Sequence, residues 1–277
     1  MSQSNSSQFT AAAKPARRLL TALPLYNEVK HVIDVLAEVR RYSPEILVVD
    51  DGSTDGSSEL LAKEMAEGRL TGGGIHVVRH ERNRGYGAAL KSAFEFSLQN
   101  KYDVLVTIDC DGQHQPRMIP TFFEACAGYD MVSGSRYLAP LSGDSQPPAD
   151  RLKINRLLTA RLNSDCKKLN PDWDVELTDA FCGFKAYCVG ALADLDLSDQ
   201  GYAMPLELWV QAAAMKWRIR ELAVPLIYLD LARSFGGALD DADTRLAHYG
   251  RVLDAAIAKV HQRPAAPRRQ LCGERAG

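Results

Sequence analysis

Short apolar runs, each followed by a stretch with helical spacing, alternate five times within about 135 residues of this 277-residue chain. The runs cover residues 17–23, 46–49, 75–78, 104–108 and 129–133, and helices are expected over 57–67, to about residue 98, and near 118–127. Strand and helix in strict alternation predict an α/β, doubly wound, mostly parallel sheet with helices on both faces. Ile46-Leu47-Val48-Val49 has no polar interruption, as expected of a strand covered on both faces. The helix after the first run has Val29, Val32, Ile33, Leu36 and Val39 at helical spacing, and Asn27 stands where a helix cap is expected. Ligands of such sheets bind beyond the carboxyl ends of the strands.

Two acidic clusters occupy that edge. Asp50-Asp51-Gly52-Ser53-Thr54-Asp55 follows the second run, and Asp109-Cys110-Asp111-Gly112-Gln113-His114 follows the fourth. Two carboxylates one residue apart, with an amide oxygen and an imidazole behind them, suit Mg²⁺ or Mn²⁺ that also grips substrate phosphates. The bland alternative is a solvated loop whose aspartates cap the helix beginning near Pro116. The second cluster decides between them: Asp50 or Asp51 can hydrogen-bond a base or ribose, while Asp109 and Asp111 hold ribose and metal. Asn83-Arg84-Gly85-Tyr86-Gly87 offers backbone N–H groups at a helix start, suited to phosphate or to a close backbone approach, or else a turn that needs two glycines. It is not the dinucleotide fingerprint, because Leu90 stands where the third glycine would be.

The net charge of -2 gives no basic field of the kind that draws nucleic acid. Six scattered cysteines without a CxxC pair, and no secretory signal, read as reduced thiols of a cytoplasmic protein. No apolar run approaches the ~20 residues a membrane-spanning helix needs. The expected organisation is a disordered tail over 1–16, a catalytic domain over 17–240, an amphipathic helix over 241–263 and a second tail over 264–277. Within it, 139–150 reads as a long functional loop. Residues 151–169 read as a helix with Ile154, Leu157, Leu158, Leu162 and Leu169 on its apolar face. Arg151, Lys153, Arg156, Arg161, Lys167 and Lys168 make that helix basic, suited to packing on the core or to peripheral contact with the cytoplasmic face of an anionic membrane. A helix over 206–215, a strand over 219–228 and a last helix over 244–261 complete a helical C-terminal part.

The two acidic clusters and the Asn83–Gly87 motif, in this order and spacing, resemble family 2 glycosyltransferases of the GT-A fold. Ser133-Gly134-Ser135-Arg136-Tyr137, Asp179 through Lys185, and Gly201-Tyr202 with Glu207 resemble more narrowly the polyprenol-phosphate sugar transferases, the dolichol-phosphate mannose synthase group. The likeness runs from about residue 19 to residue 239. It implies a nucleotide-sugar donor (GDP-mannose or a UDP-sugar), a polyprenyl phosphate acceptor, Mg²⁺ or Mn²⁺, and inversion at the sugar carbon.

Carried over by position, Pro24, Tyr26, Glu28, Asp50, Asp51, Asn83, Gly87 and Asp109 belong to nucleotide binding, and Asp109, Asp111 and Gln113 to the metal. Asp111, Asp179, Arg136 and Arg233 belong to catalysis, the arginines holding phosphates and Asp179 positioning the acceptor and the 139–150 loop. One departure stands out: where the family's later loop reads Arg-x-x-Gly-x-Ser-Lys, this chain has Ala238 and Leu239. Transfer to a sugar or protein hydroxyl, or a non-catalytic nucleotide-sugar-binding role, are the alternatives. A nucleotidyltransferase would need a Gly-rich loop with Arg after the first strand, which Pro24-Leu25-Tyr26-Asn27-Glu28 is not.

Overall fold

A computed structural model describes residues 17–70, 74–139, 146–227 and 236–262. Seven strands form one sheet: β1 (Leu19–Leu25), β2 (Ile46–Asp50), β3 (Ile75–Arg79), β4 (Val104–Thr107), β5 (Met131–Ser135), β6 (Lys185–Cys188) and β7 (Ile219–Ala223). Their order is β3-β2-β1-β4-β6-β5-β7. Among the described residues the α-helices are α1 (Val32–Val39), α2 (Ser57–Ala66), α3 (Tyr86–Gln99), α4 (Ile119–Ala125), α5 (Ala149–Leu169), α6 (Val189–Leu192), α7 (Met204–Ala214) and α8 (Ala242–His261). Every residue of β2 is buried, so both faces of the sheet centre are covered, as the uninterrupted apolar run predicts.

The sheet is mixed and mostly parallel. All five expected strands form within about two residues of their expected bounds, and β3, β2, β1 and β4 run parallel. The departure is β6, four residues long and opened by a lysine, which carries no strand periodicity to read. It inserts antiparallel between β4 and β5. This reversal matters for function: Lys185 pairs with Thr107 at the carboxyl end of β4, so the segment leading into β6 lies on the ligand edge beside Asp109. The expected strand over 219–228 ends early, at Ala223, and residue 228 lies outside the described residues.

Two local expectations are corrected. Asn27 does not cap α1, whose N-cap is His31. Asn27 instead adopts φ 55°, and its side-chain oxygen accepts from the Thr54 N–H at 2.8 Å, tying the end of β1 to the first acidic loop. On α5, Leu157 lies outside the buried face and is 48% exposed. That face is formed by Ile154, Leu158, Leu162 and Cys166 together with the polar Asn155 and Thr159, which bond the loop ahead of β6.

The largest enclosed side chains, Trp209, Tyr187, Phe122 and Phe184, gather around β6. Phe122 and Phe184 stack at 4.3 Å, and the Trp209 indole N–H donates to the Ala180 carbonyl at 3.0 Å. The core thereby clamps both ends of the segment preceding β6. Tyr249, Leu253 and Ala256 bury one stripe of α8, which packs on α7 and α5.

Candidate active site

A cleft of about 1020 Å³ opens at the carboxyl ends of the strands. It is lined by Pro24 at the end of β1, Tyr26 and Glu28 after it, Asp51 after β2, Asn83 before α3, Asp109, Asp111 and Gln113 after β4, and Arg136 after β5. Nine of the residues carried over from the resemblance thus meet in one space. Asp50, Gly87 and Asp179 do not line it, and Arg233 lies outside the described residues.

The first acidic loop divides its labour. Asp50 is 1% exposed, accepts from the Ser53 N–H at 2.9 Å and from the Ser58 hydroxyl, and so braces its own loop against α2. Nucleotide contact by Asp50 is therefore not what its geometry supports. Asp51 reaches the cleft wall, yet its oxygens accept from the Arg84 and Gly85 N–H groups at 3.0 and 2.7 Å. His80 orients it, with Nδ1 2.5 Å from Asp51 Oδ1 and Nε2 2.8 Å from the Ser92 hydroxyl.

The Asn83–Gly87 motif serves close packing. Two of its N–H groups, those of Arg84 and Gly85, are committed to Asp51, and the N–H of the following Ala88 donates to the Gln200 carbonyl at 3.1 Å. A Cβ on Gly87 would stand 2.8 Å from Met204 Cβ, so the glycine lets α3 touch the start of α7. Tyr86, inside the motif, is the member that meets the second acidic loop, a contact that sequence reasoning passed over. Its hydroxyl donates to Asp109 Oδ1 at 3.1 Å, and its ring stacks on Tyr202 at 5.7 Å.

The second acidic loop is shaped to present carboxylates. Asp111 Oδ1 accepts from the Gln113 N–H at 3.0 Å, closing a tight turn. Asp109 lies flat against Gly183, where a Cβ would come within 2.4 Å of its Oδ2. His114 Nδ1 lies 3.1 Å from the Asp109 backbone N, accepting its N–H only while the ring is neutral, and 3.8 Å from Asp109 Oδ2. Burial opposes charge on this ring, while Asp109, with Cys182 and Asp111, favours it and raises its pKa to about 9. A cation bound at the carboxylates would reverse that influence.

The donor set fits one kind of metal site. Among the described residues no group of three or more His, Cys, Asp or Glu side chains can hold an ion by itself. A closed four-ligand zinc site is thus not present there. Two cleft-lining carboxylates do match a hard cation that takes its remaining ligands from water and substrate phosphates.

Behind the cleft lies a buried ionic network. Arg136 Nε and Nη2 bond Asp179 at 2.7 and 2.9 Å, and the Arg136 N–H adds a third contact at 3.2 Å. Asp179 Oδ1 also accepts from Asn155 Nδ2 at 2.9 Å and from the Phe181 N–H at 3.1 Å. Burial would raise the Asp179 pKa, but the Arg136 charge and its hydrogen bonds outweigh it and hold the carboxyl below its usual range. Asp179 is fully enclosed, so it fixes Arg136 and does not itself meet an acceptor. Glu221 on β7 supports it from behind, accepting from the Thr178 and Asp179 N–H groups at 2.9 and 3.2 Å, and burial raises its pKa. Burial lowers the pKa of Lys185, whose ammonium donates to the Ser133 hydroxyl and the Cys182 carbonyl.

Asn155, Glu221, Tyr86 and His80 escaped sequence reasoning, as did Arg245 and Tyr249 of α8, which line the cleft. Asn155 with Thr159, and Arg245 with Tyr249, did leave a signal: polar groups four residues apart on an otherwise apolar helical stripe. For Glu221 and His80 no such signal exists. Glu207, from the Gly201-Tyr202 motif, accepts from the Ser198 and Asp199 N–H groups at 2.7 and 3.0 Å and holds the loop that meets α3.

A mostly parallel sheet with an Asp-x-Asp turn in a cleft at its carboxyl edge defines the GT-A class of glycosyltransferase fold. Solved structures share it. Glucosyl-3-phosphoglycerate synthase from Mycobacterium tuberculosis, in complex with Mn²⁺ and UDP-glucose, superposes with a TM-score of 0.61 at 18% identity, covering 90% of this chain and 81% of that one. Mannosyl-3-phosphoglycerate synthase from Rubrobacter xylanophilus gives 0.61 at 15% identity over 91% of this chain and 77% of that one. At the level of sequence, the family model described as Glycosyl transferase family 2 matches residues 21–196. The chain is 30% identical to an undecaprenyl-phosphate mannosyltransferase from Micrococcus luteus, over 84% of this chain and 94% of that protein. It is 31% identical to a polyprenol monophosphomannose synthase from Mycolicibacterium smegmatis, over 87% and 89% respectively. The chain belongs to glycosyltransferase family 2.

Proposed function

We propose that this glycosyltransferase moves a hexose, mannose foremost, from a nucleotide-diphosphate sugar to a polyprenyl phosphate at a membrane surface. The observation that carries this reading is the pairing, in one cleft, of the Asp109/Asp111 turn with an arginine fixed by an enclosed aspartate. The names of the two mannosyl-transferring relatives agree with it.

In the reaction an oxygen of the acceptor phosphate bonds the sugar's anomeric carbon as the bond from that carbon to the diphosphate breaks. The electron pair leaves with the nucleoside diphosphate, and attack from the opposite face inverts the centre. A divalent cation, when bound, supplies neutralising charge for the departing diphosphate. Asp109 and Asp111, with Gln113 beside them, would hold it together with the donor's phosphate oxygens. Asp51, Asn83, Pro24, Tyr26 and Glu28 form the wall for the nucleoside. Arg136 spends two of its five N–H donors on Asp179 and presents a fixed positive charge to a phosphate.

A phosphate monoester is already anionic at neutral pH and attacks without a general base. Asp179 is unsuited to be one, since it is enclosed, ionised and saturated with donors. No described helix is long and apolar enough to cross a membrane. Contact with the lipid-bound acceptor would be peripheral, through the exposed Lys153, Arg156, Leu157 and Lys167 of α5. The experiment is a screen of radiolabelled GDP- and UDP-sugars with a polyprenyl phosphate. Label entering the organic phase supports the reading; turnover only onto a sugar or protein hydroxyl would replace it with the alternative.

A further inference from the structure

Two of the arginines lining the cleft, Arg136 and Arg245, are each paired with an aspartate, but the two pairs differ in whether the aspartate can leave. Asp179 is 0% exposed and held by Asn155 and the Phe181 N–H as well as by Arg136, so freeing it would strand a buried charge. Arg245 is built the other way round. The arginine is the buried partner, its side chain 2% exposed, while its Asp150 is 42% exposed. Asp150 stands in the first turn of α5, where unpaired N–H groups and solvent accommodate a carboxylate without a partner.

The guanidinium is fixed in place apart from that contact. Nη1 donates to the Leu239 carbonyl at 2.6 Å and to the Asp240 carbonyl at 3.3 Å, and Nη2 donates to Asp150. Position 239 is where the family pattern leads one to expect a lysine, so a cation stands at that place although its side chain is apolar. Tyr249, one turn further along α8, and Arg151, next to Asp150, line the same part of the cleft wall.

A buried guanidinium needs an anion at all times. Asp150 serves in the empty cleft, and a phosphate, with more negative charge and three acceptor oxygens, is the stronger partner. We infer that Arg245 is a receptor for the acceptor's phosphate monoester, held ready by Asp150, which gives up Nη2 when the phosphate arrives. This rests on the reading of the acceptor as a lipid phosphate. The proposal fixes an unusual sign: removing the charge of Asp150 strengthens acceptor binding, whereas removing that of Arg245 weakens it.

The test uses the full chain with Arg245→Gln, Arg245→Lys and Asp150→Asn, titrated with farnesyl phosphate, farnesol and inorganic phosphate by tryptophan fluorescence. KM for donor and for acceptor is measured in parallel. Asp150→Asn is expected to bind farnesyl phosphate several-fold more tightly, and Arg245→Gln about tenfold or more weakly. Arg245→Lys, which keeps the charge and guards against a folding defect in the glutamine variant, falls between Arg245→Gln and wild type. Farnesol binding and the donor KM stay unchanged in all three.

Weaker or unaltered farnesyl phosphate binding in Asp150→Asn would overturn the inference, as would equal changes in donor and acceptor KM. Inorganic phosphate competing as well as farnesyl phosphate would overturn the assignment to the acceptor. Wild type that binds farnesyl phosphate with these signs but never transfers sugar refutes the proposed function and leaves the receptor standing. Wild type that transfers sugar while the variants show no opposite shifts refutes the receptor alone.

Discussion

Replacing Asp179 by asparagine tests the most unusual feature of the site, a cleft arginine held by an aspartate with no solvent contact. The two carboxylate oxygens accept five hydrogen bonds, from Arg136 Nε, Nη2 and N–H, Asn155 Nδ2 and the Phe181 N–H. An amide nitrogen in place of Oδ2, the oxygen with fewer donors, would face the Arg136 Nε and N–H and lose both bonds. It would also leave the part-buried Arg136 charge, its side chain 20% exposed, uncompensated. Removing one partner of a buried pair costs about 3–5 kcal/mol. The substitution should therefore lower stability by roughly that amount in urea unfolding at pH 7, as well as slowing transfer through a misplaced Arg136.

The pH dependence has a definite sign. The Asp179 carboxyl is held below its usual value in the folded chain. Its stabilising contribution is therefore complete above an unfolded pKa of about 3.9 and is lost as pH falls through the lower folded value. Asp179→Asn should be closer to wild type in acid than at pH 7. A cost at pH 7 below about 1 kcal/mol, the range of exposed pairs, would refute the reasoning. So would a gap from wild type that widens as pH falls.

Three further outcomes follow from the geometry. Asp111→Asn should abolish turnover with a stability change within about 0.5 kcal/mol, and excess EDTA should do the same to wild type; full activity in EDTA would contradict the cation's role. Gly183→Ala places a Cβ 2.4 Å from Asp109 Oδ2, so turnover should collapse and donor affinity with it, as read by titration with a nucleoside diphosphate. On α5, Arg161 is engaged with Asp165 and Asp254, and Lys168 with Asp165, which leaves Lys153, Arg156 and Lys167 as the exposed basic contribution. Neutralising those three should weaken flotation with anionic vesicles by about 1 kcal/mol per residue at low salt, and little at high salt.

The strands and most helices were legible because apolar runs and helical spacing report burial directly. Both acidic turns were legible because carboxylates at the ends of buried strands have few structural uses. What stayed hidden depends on contacts between residues far apart in the chain. β6 is too short to show a period, and its direction is fixed only by packing between β4 and β5. Asp50 and Asp51 read alike in sequence, yet one faces its own loop and the other the cleft. The glycines at the start of α3 suggest phosphate in sequence, but the partner they admit is the segment leading into α7, more than a hundred residues later. Asp179 reads as an acceptor residue in sequence because nothing local reveals its pairing with Arg136, 43 residues earlier.

The central claim is that the cleft joins a nucleotide-bound sugar to an oxygen that is already anionic. Polyprenyl phosphate and the matching polyprenol should be compared as acceptors, with the best donor sugar, with Mn²⁺ and with excess EDTA. Label is expected in the lipid fraction only with the phosphate and only with the cation. Equal transfer to the free alcohol, or transfer that persists in EDTA, would contradict it.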